Sequence, residues 1–384
     1  MIHFPRKILA DSLIRDLSGA SPLSDAPNGL FLAAPRRTGK SMFLQHDLVP
    51  ELVAKGIIPI YVDLWEHRAE DPGTLIAYVI GRRASEERTL LQKVKDSVHG
   101  KVTVGPLALD FEDRLIGKPG GVSIPEALRK IHDATGKVVC LIIDEAQHAL
   151  TTQEGINAMA SLKSARDQMN TPGDVSLMLV MSGSDRDKLL RLVNSNAAPF
   201  FGSHITRMPT LGHDYVEALA DELNRSHEKT KPVDVDVLAR AFESYGFRPQ
   251  FLGAGILAAL DETQEGITFN RALEQHATNA AADANDEMQS VYLGCSDIQR
   301  AVLWRMLEEG GKYRPFDAAA LKFYTETMGK DVTATQVQAA LDGLRTRDDP
   351  IVWKSARGEY SVEDSSMLRW FKSLQKAGKW PPTA

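Results

Sequence analysis

Eight consecutive residues carry the strongest chemical signal in the chain: Ala34-Pro35-Arg36-Arg37-Thr38-Gly39-Lys40-Ser41. A turn running into glycine, lysine and serine is how a backbone cradles phosphate, because N–H groups and a helix N-terminus converge on the anion. Gly39 lets the backbone approach without a Cβ in the way. Lys40 would reach the β- and γ-phosphates, and the Ser41 hydroxyl would ligate Mg²⁺. The pattern for such a loop is G-x-x-x-x-G-K-[ST], and Ala34 stands where the first glycine belongs. That glycine has only to turn the chain out of a strand. Alanine is therefore tolerated there if its φ is negative and strained if its φ is positive. The candidate nucleotide contacts are Ala34, Pro35, Arg36, Arg37, Thr38, Gly39, Lys40, Ser41 and Met42.

A phosphate loop needs an acid to hold the metal ion and a group to activate water. Asp144 and Glu145 end the apolar run "VVCLIID" and its following residue. A buried strand would deliver Asp144 to the site with Ser41 as the metal ligands, leaving Glu145 to orient or deprotonate the attacking water. Adjacent strand side chains point to opposite faces, so the two acids are expected to divide these jobs. "MSGS" ends another apolar run, and Ser182 or Ser184 could hydrogen-bond the γ-phosphate or the water. Arg248 in "YGFRPQFL" is a cation that could neutralise γ-phosphate charge. Arg186, Arg191 and Arg207 are candidates for a finger acting on a neighbouring copy. The histidines, His46, His67 and His148 among them, lack metal-ligand spacing and there is no C-x-x-C pair, so no zinc is assigned.

The elements that must position these groups follow from periodicity. "GLFLAA" (29–34), "IIPIYVDL" (57–64), "KVVCLIIDEAQ" (137–147) and "VSLMLVMSGS" (175–184) read as strands, the last two fully buried. Helical patterns separate them: a stretch after Lys40 that Pro50 is expected to kink or end, another over 73–98, and "SIPEALRKIHDATG" with Ser123 as N-cap and Gly136 after its end. Residues 99–122 read as glycine-rich and irregular. Alternating strands and helices predict an α/β fold, a three-layer parallel sheet covered on both faces. From about 210 to 294 only helical patterns remain. From 295 to 384 two helices, the second with Thr335 and Gln338 at capping-box spacing, precede two short strands around Gly358, the order of a winged helix. The expected division is thus an N-terminal segment 1–28, a core 29–209, a helical lid 210–294 and a winged-helix-like domain 295–384.

Composition sets bounds on function. The 384 residues are 43% hydrophobic and 25% charged, as in an ordinary globular protein of two or three domains. A net charge of −6 argues against a surface coated for non-specific nucleic-acid binding. Two cysteines make no disulfide framework, which with the absence of a membrane-length apolar run and of a signal-peptide pattern predicts a cytoplasmic protein with no membrane partner. Residues 296–384 hold 14 Lys and Arg against 12 Asp and Glu, a mild +2. Gln336, Gln338, Arg345, Lys354 and Arg357 are the side chains there that could meet DNA.

"APRRTGKS", "LIIDEAQ", "VMSGS" and "GFRPQFL", in that order and followed by a winged helix, resemble an AAA+-type P-loop ATPase. The likeness is to the branch with archaeal-type ATPases, origin-recognition initiators and STAND-type signalling NTPases, and it covers residue 29 to the C-terminus. It implies Lys40 and Ser41 as Walker A contacts, Asp144 and Glu145 as Walker B, Ser182 as sensor 1 and Arg248 as sensor 2. It also implies a five-stranded core with the phosphate-loop strand central, ATP and Mg²⁺ as cofactors, and hydrolysis that moves the lid and winged helix. Serine where asparagine or threonine is usual at sensor 1 bears on the rate of hydrolysis more than on binding. DNA through residues 335–360, a partner protein and a second copy of the chain are the candidate partners. The alternative function is a nucleotide-gated switch with negligible turnover.

Overall fold

The computed structural model describes residues 3–21, 24–66, 69–97, 116, 121–184, 186–194, 198–226, 232–263, 267–347, 349–354 and 359–382. Most of the 99–122 stretch, and His67, Arg357 and Gly358, lie outside them. The chain divides into two compact units. One is Pro5–Ala34 with Lys40–Met208; the other is Met1–Phe4, Pro35–Gly39 and Pro209–Ala384.

The first unit is built on five parallel strands: β1 (Leu30–Ala33), β2 (Ile58–Asp63), β3 (Val139–Asp144), β4 (Leu177–Gly183) and β5 (Ile205–Arg207), in the order β2-β3-β4-β1-β5. Every residue of β1, β3 and β4 is buried, whereas the edge strand β2 alternates, as continuous and alternating apolar runs predict. The phosphate-loop strand is interior but not central: β1 lies between β4 and β5, and β4 is the middle strand. Strand order depends on crossovers, to which local pattern is blind.

Helices α1 (Lys7–Leu17), α2 (Lys40–Phe43) and α3 (Val49–Ala54) cover one face. Leu13, Leu17, Phe43, Leu48 and Leu52 meet Leu30, Leu32, Ile142 and Val180 there. Pro50 does not end the helical path. A π turn over Leu44–Leu48 joins α2 to α3 and places Pro50 in the first turn of α3, where a missing N–H costs little. Helices α4 (Pro72–Ser97), α5 (Ile124–Thr135) and α6 (Gln153–Met169) pack on one another and against β2, β3 and β4. Ser123 accepts the Glu126 N–H at 3.3 Å and Gly136 closes α5 in the left-handed region at φ 63°. A short α7 (Arg186–Leu190) follows β4.

The second unit holds two cores. Helices α8 (His213–Ser226), α9 (Val235–Ser244), α10 (Pro249–Glu262) and α11 (Phe269–Leu293) enclose Tyr215, Leu238, Phe242, Leu252 and Leu273. The other core joins α12 (Asp297–Glu309), α13 (Ala318–Met328), α14 (Ala334–Arg345), the antiparallel pair β6 (Val352–Lys354) and β7 (Tyr360–Val362), and α15 (Ser365–Lys376). Helices α13 and α15 go beyond the helix-helix-hairpin order expected from sequence. The capping box of α14 is Thr333 with Gln336, not Thr335 with Gln338. Among the described residues no helix is long and apolar enough to cross a membrane.

Candidate functional site

The ends of β1, β3 and β4, adjacent strands and their near neighbours, deliver the chemical groups to one place. Ala34 follows β1 and is tied to the sheet by its N–H on the Gly183 carbonyl at 3.1 Å. It does not take a positive φ; the left-handed backbone of the loop falls on Arg37 (φ 67°) and Gly39 (φ 89°). Alanine is thus unstrained in place of the first glycine. Thr38 closes the turn through its hydroxyl on the Pro35 carbonyl at 2.7 Å. Met42 is exposed on α2.

Lys40, at the start of α2, is 5% exposed. Its ammonium makes a close ion pair with Asp144 Oδ1, reaches Glu145 Oε1 at 3.0 Å, and lies 3.4 Å from Ser182 Oγ. Asp144 is fully buried at the last position of β3. Besides Lys40, its Oδ1 accepts from Ser182 Oγ at 2.5 Å and from the Glu145 N–H at 2.9 Å. Its Oδ2 accepts from Ser41 Oγ at 2.5 Å and from the Tyr61 hydroxyl at 3.1 Å. Burial pushes the Asp144 carboxyl up, but the Lys40 charge and the donors from Lys40, Ser182 and Ser41 outweigh it and hold the group below its ordinary range. Burial also opposes charge on Lys40, and the two carboxylates outweigh it, so the ammonium is held above its ordinary value. Burial raises the Tyr61 phenol, with the Asp144 charge adding to it.

Glu145 departs from the expectation that adjacent acids point to opposite faces. Strand β3 ends at Asp144, and Glu145 takes the left-handed conformation, φ 54° and ψ 43°. That turn brings its side chain back onto the Lys40 ammonium beside Asp144. Its other oxygen, Oε2, accepts from Gln147 Nε2 at 2.5 Å and from Ser184 Oγ at 2.8 Å. Burial raises Glu145, and Lys40, Gln147 and Ser184 together outweigh it and bring the group below its ordinary value.

The fit to a magnesium nucleotide rests on this donor set. A hydroxyl and a carboxylate in contact, Ser41 with Asp144, are hard oxygen ligands. Mg²⁺ takes one or two such ligands and fills its octahedron with phosphate and water. A buried ammonium at a helix start, with a glycine before it whose Cβ position meets no atom within 4 Å, is what an anion cradle requires. The strand order and the loop between β1 and α2 agree with it. The fold is that of a P-loop NTPase. No protein-family profile matches the chain, and no curated protein does. Among solved structures the chain is similar to the Aeropyrum pernix ORC2 protein in its ADP form, at 12% identity over 97% of this chain and 93% of that one, with a TM-score of 0.49. It is also similar to the Aeropyrum pernix ORC1 protein in complex with DNA (14%, 98% and 94%, TM-score 0.43) and to AMPPCP-bound DnaA from Aquifex aeolicus (11%, 89% and 89%, TM-score 0.39).

The remaining candidates have other surroundings. Arg248 belongs to the second unit, where it precedes α10, donates to Ser366 Oγ at 3.3 Å and lies over the Phe251 ring. Burial lowers its pKa, and Arg369 lowers it further. Arg36 pairs with Glu363 at 2.8 Å and Arg37 lies over Phe251, both within that same unit. Arg207 is exposed on the edge strand β5, Arg191 follows α7, and Arg186 opens it. Sequence reasoning missed Tyr61 and Gln147 and gave Ser184 second place to Ser182. Gln147 lies in the quoted "IDEAQ", two residues past the acid it holds. Tyr61 lies two residues before the end of β2, the strand next to β3, and strand neighbours are not visible in a single run.

Proposed function

We propose that this protein binds ATP with Mg²⁺ and hydrolyses it in the manner of an AAA+ ATPase. The observation that carries the reading is the buried Lys40 held by Asp144 and Glu145, with Ser41 on Asp144. A buried cation that could turn to phosphate thus stands beside a hydroxyl–carboxylate pair that could hold Mg²⁺. Ser41 and Asp144 would hold Mg²⁺, whose charge offsets that of the phosphates. Lys40 exchanges its carboxylate partners for the β- and γ-phosphate oxygens. Glu145 Oε1, released by that exchange, accepts a proton from water as the water oxygen bonds to the γ-phosphorus. The bond from that phosphorus to the β-phosphate oxygen breaks, and ADP and phosphate leave. Ser182 keeps Asp144 ionised and oriented. We assign Arg248 the role of reporting the γ-phosphate to the helical lid, and residues 335–360, in a domain of mild positive charge, the role of meeting DNA or a protein.

Equilibrium binding of a non-hydrolysable ATP analogue tests the first part. Wild type should bind with Mg²⁺, Lys40→Ala should lose at least about a hundredfold, and Asp144→Asn should lose the Mg²⁺ dependence. Binding indifferent to Lys40 would remove the proposal.

A further inference from the structure

The Glu145 carboxylate is fixed at one oxygen and adjustable at the other. Oε2 accepts from Gln147 Nε2 at 2.5 Å, from Ser184 Oγ at 2.8 Å and from the Ser184 N–H at 3.3 Å, whereas Oε1 is bound to Lys40 at 3.0 Å. We propose that Gln147 and Ser184 are positioning residues that anchor Oε2 of Glu145, so that Oε1 alone is presented to the attacking water once Lys40 turns to phosphate. This rests on the hydrolytic reading above.

Three observations support it. A non-glycine residue in the left-handed region is strained and persists only where its surroundings over-determine it. The three donors on Oε2 are such surroundings. Gln147 is 1% exposed, and its amide is devoted to Glu145: Nε2 donates to it, and Oε1 has no hydrogen-bond partner among the described residues. A buried amide oxygen without a partner is unfavourable, so the amide is not there for core packing alone. Finally, the amide as placed fills space that Gly183 leaves open. A Cβ at Gly183 would stand 2.6 Å from Gln147 Oε1. The end of β4 thus supplies both a donor, Ser184, and the space for the second donor. A carboxylate left with one rotatable oxygen and no anchor would lose the alignment that a base needs, and small misplacements at that distance cost about a hundredfold.

The test measures three quantities on the full chain: steady-state ATP turnover, affinity for an ATP analogue, and affinity for ADP with aluminium fluoride, which mimics the transferring phosphoryl group. Ser184→Ala and Gln147→Met should each lower kcat by about tenfold or more, with KM and analogue affinity within about twofold of wild type. Both should weaken ADP–aluminium fluoride by a factor close to the loss in kcat. Ser184→Thr should restore most of it. In a Glu145→Gln background neither change should have a further effect, because the group they position is already disabled. Wild-type kcat in both variants, or an undiminished loss in the Glu145→Gln background, overturns the anchor. If wild type binds ATP without turning it over, the hydrolytic reading fails. The anchor is then decided by ADP–aluminium fluoride alone, and unchanged affinity in both variants sinks it.

Discussion

Lys40 is a buried cation that holds two carboxylates at once. Its removal leaves Asp144 and Glu145 buried without their cation, a change that costs about 3–5 kcal/mol in comparable pairs. Both acids are held below their ordinary values in the folded protein. Their contribution to wild-type stability is therefore complete above the unfolded range, about pH 4–4.5, and is lost as pH falls through the folded values. With the Lys40 charge removed, burial should carry the acids upward, so acid should relieve the variant by protonating them. The stability gap between wild type and Lys40→Ala should narrow as pH is lowered from 8 to 4, followed by denaturant unfolding. A gap independent of pH would mean that the pair is not ionised as described. Lys40, Ser41 and Asp144 were legible in the sequence because each occupies a fixed place in a motif or at the end of a buried run. The partnership of Glu145 with Lys40 was not, because nothing in the local pattern announces a glutamate in the left-handed conformation.

Elements were legible where a cap or an unbroken apolar run marks them. Ser123 and Gly136 bracket α5 where expected, and the continuous runs became the buried strands β3 and β4. Expectation failed where a neighbour decides the outcome. The π turn spared the helix at Pro50, α14 began at Thr333, and the place of β1 in the sheet depends on crossovers. Two glycines separate conformational from steric causes. Gly136 has φ 63° and no atom within 4 Å of a Cβ position, so Gly136→Ala should cost only backbone strain, about 1–2 kcal/mol. At Gly155, in the first turn of α6, a Cβ would stand 2.1 Å from the Ala149 carbonyl oxygen, which is backbone and cannot swing aside. Gly155→Ala should cost more than about 2 kcal/mol, and since that turn follows Glu145 and Gln147 it should also lower turnover. Equal, small losses in both variants by thermal and denaturant unfolding would contradict this packing.

At the scale of the whole molecule, Lys40, Ser41, Asp144, Glu145 and Ser182 belong to the first unit, and Pro35–Gly39 and Arg248 belong to the second. A ligand that binds only the folded state stabilises it by mass action, by about 2.7 kcal/mol at a hundredfold excess over Kd. An ATP analogue with Mg²⁺ should accordingly raise the unfolding midpoint of wild type by several degrees and leave Lys40→Ala unmoved. Arg248→Ala should retain analogue binding while losing the coupling of nucleotide to the helical lid. Hydrogen exchange in α8–α11 with and without analogue would read that, and protection that still changes with nucleotide in the variant would clear Arg248 of the role. For DNA met through residues 335–360, the four cations Arg345, Arg347, Lys354 and Arg357 predict at most about four phosphate contacts and so a shallow dependence of binding on salt, and a steep one would place the contact elsewhere.

The measurement closest to the central claim is steady-state ATP turnover by the purified full chain with Mg²⁺, compared with Lys40→Ala and Glu145→Gln, with analogue binding measured on the same samples. The account predicts turnover by wild type, loss of both binding and turnover in Lys40→Ala, and retained binding with at least about a hundredfold lower kcat in Glu145→Gln. Turnover that survives Glu145→Gln, or a wild type that binds ATP and leaves it intact, would contradict the hydrolytic account. The second of these would make the protein a nucleotide-gated switch.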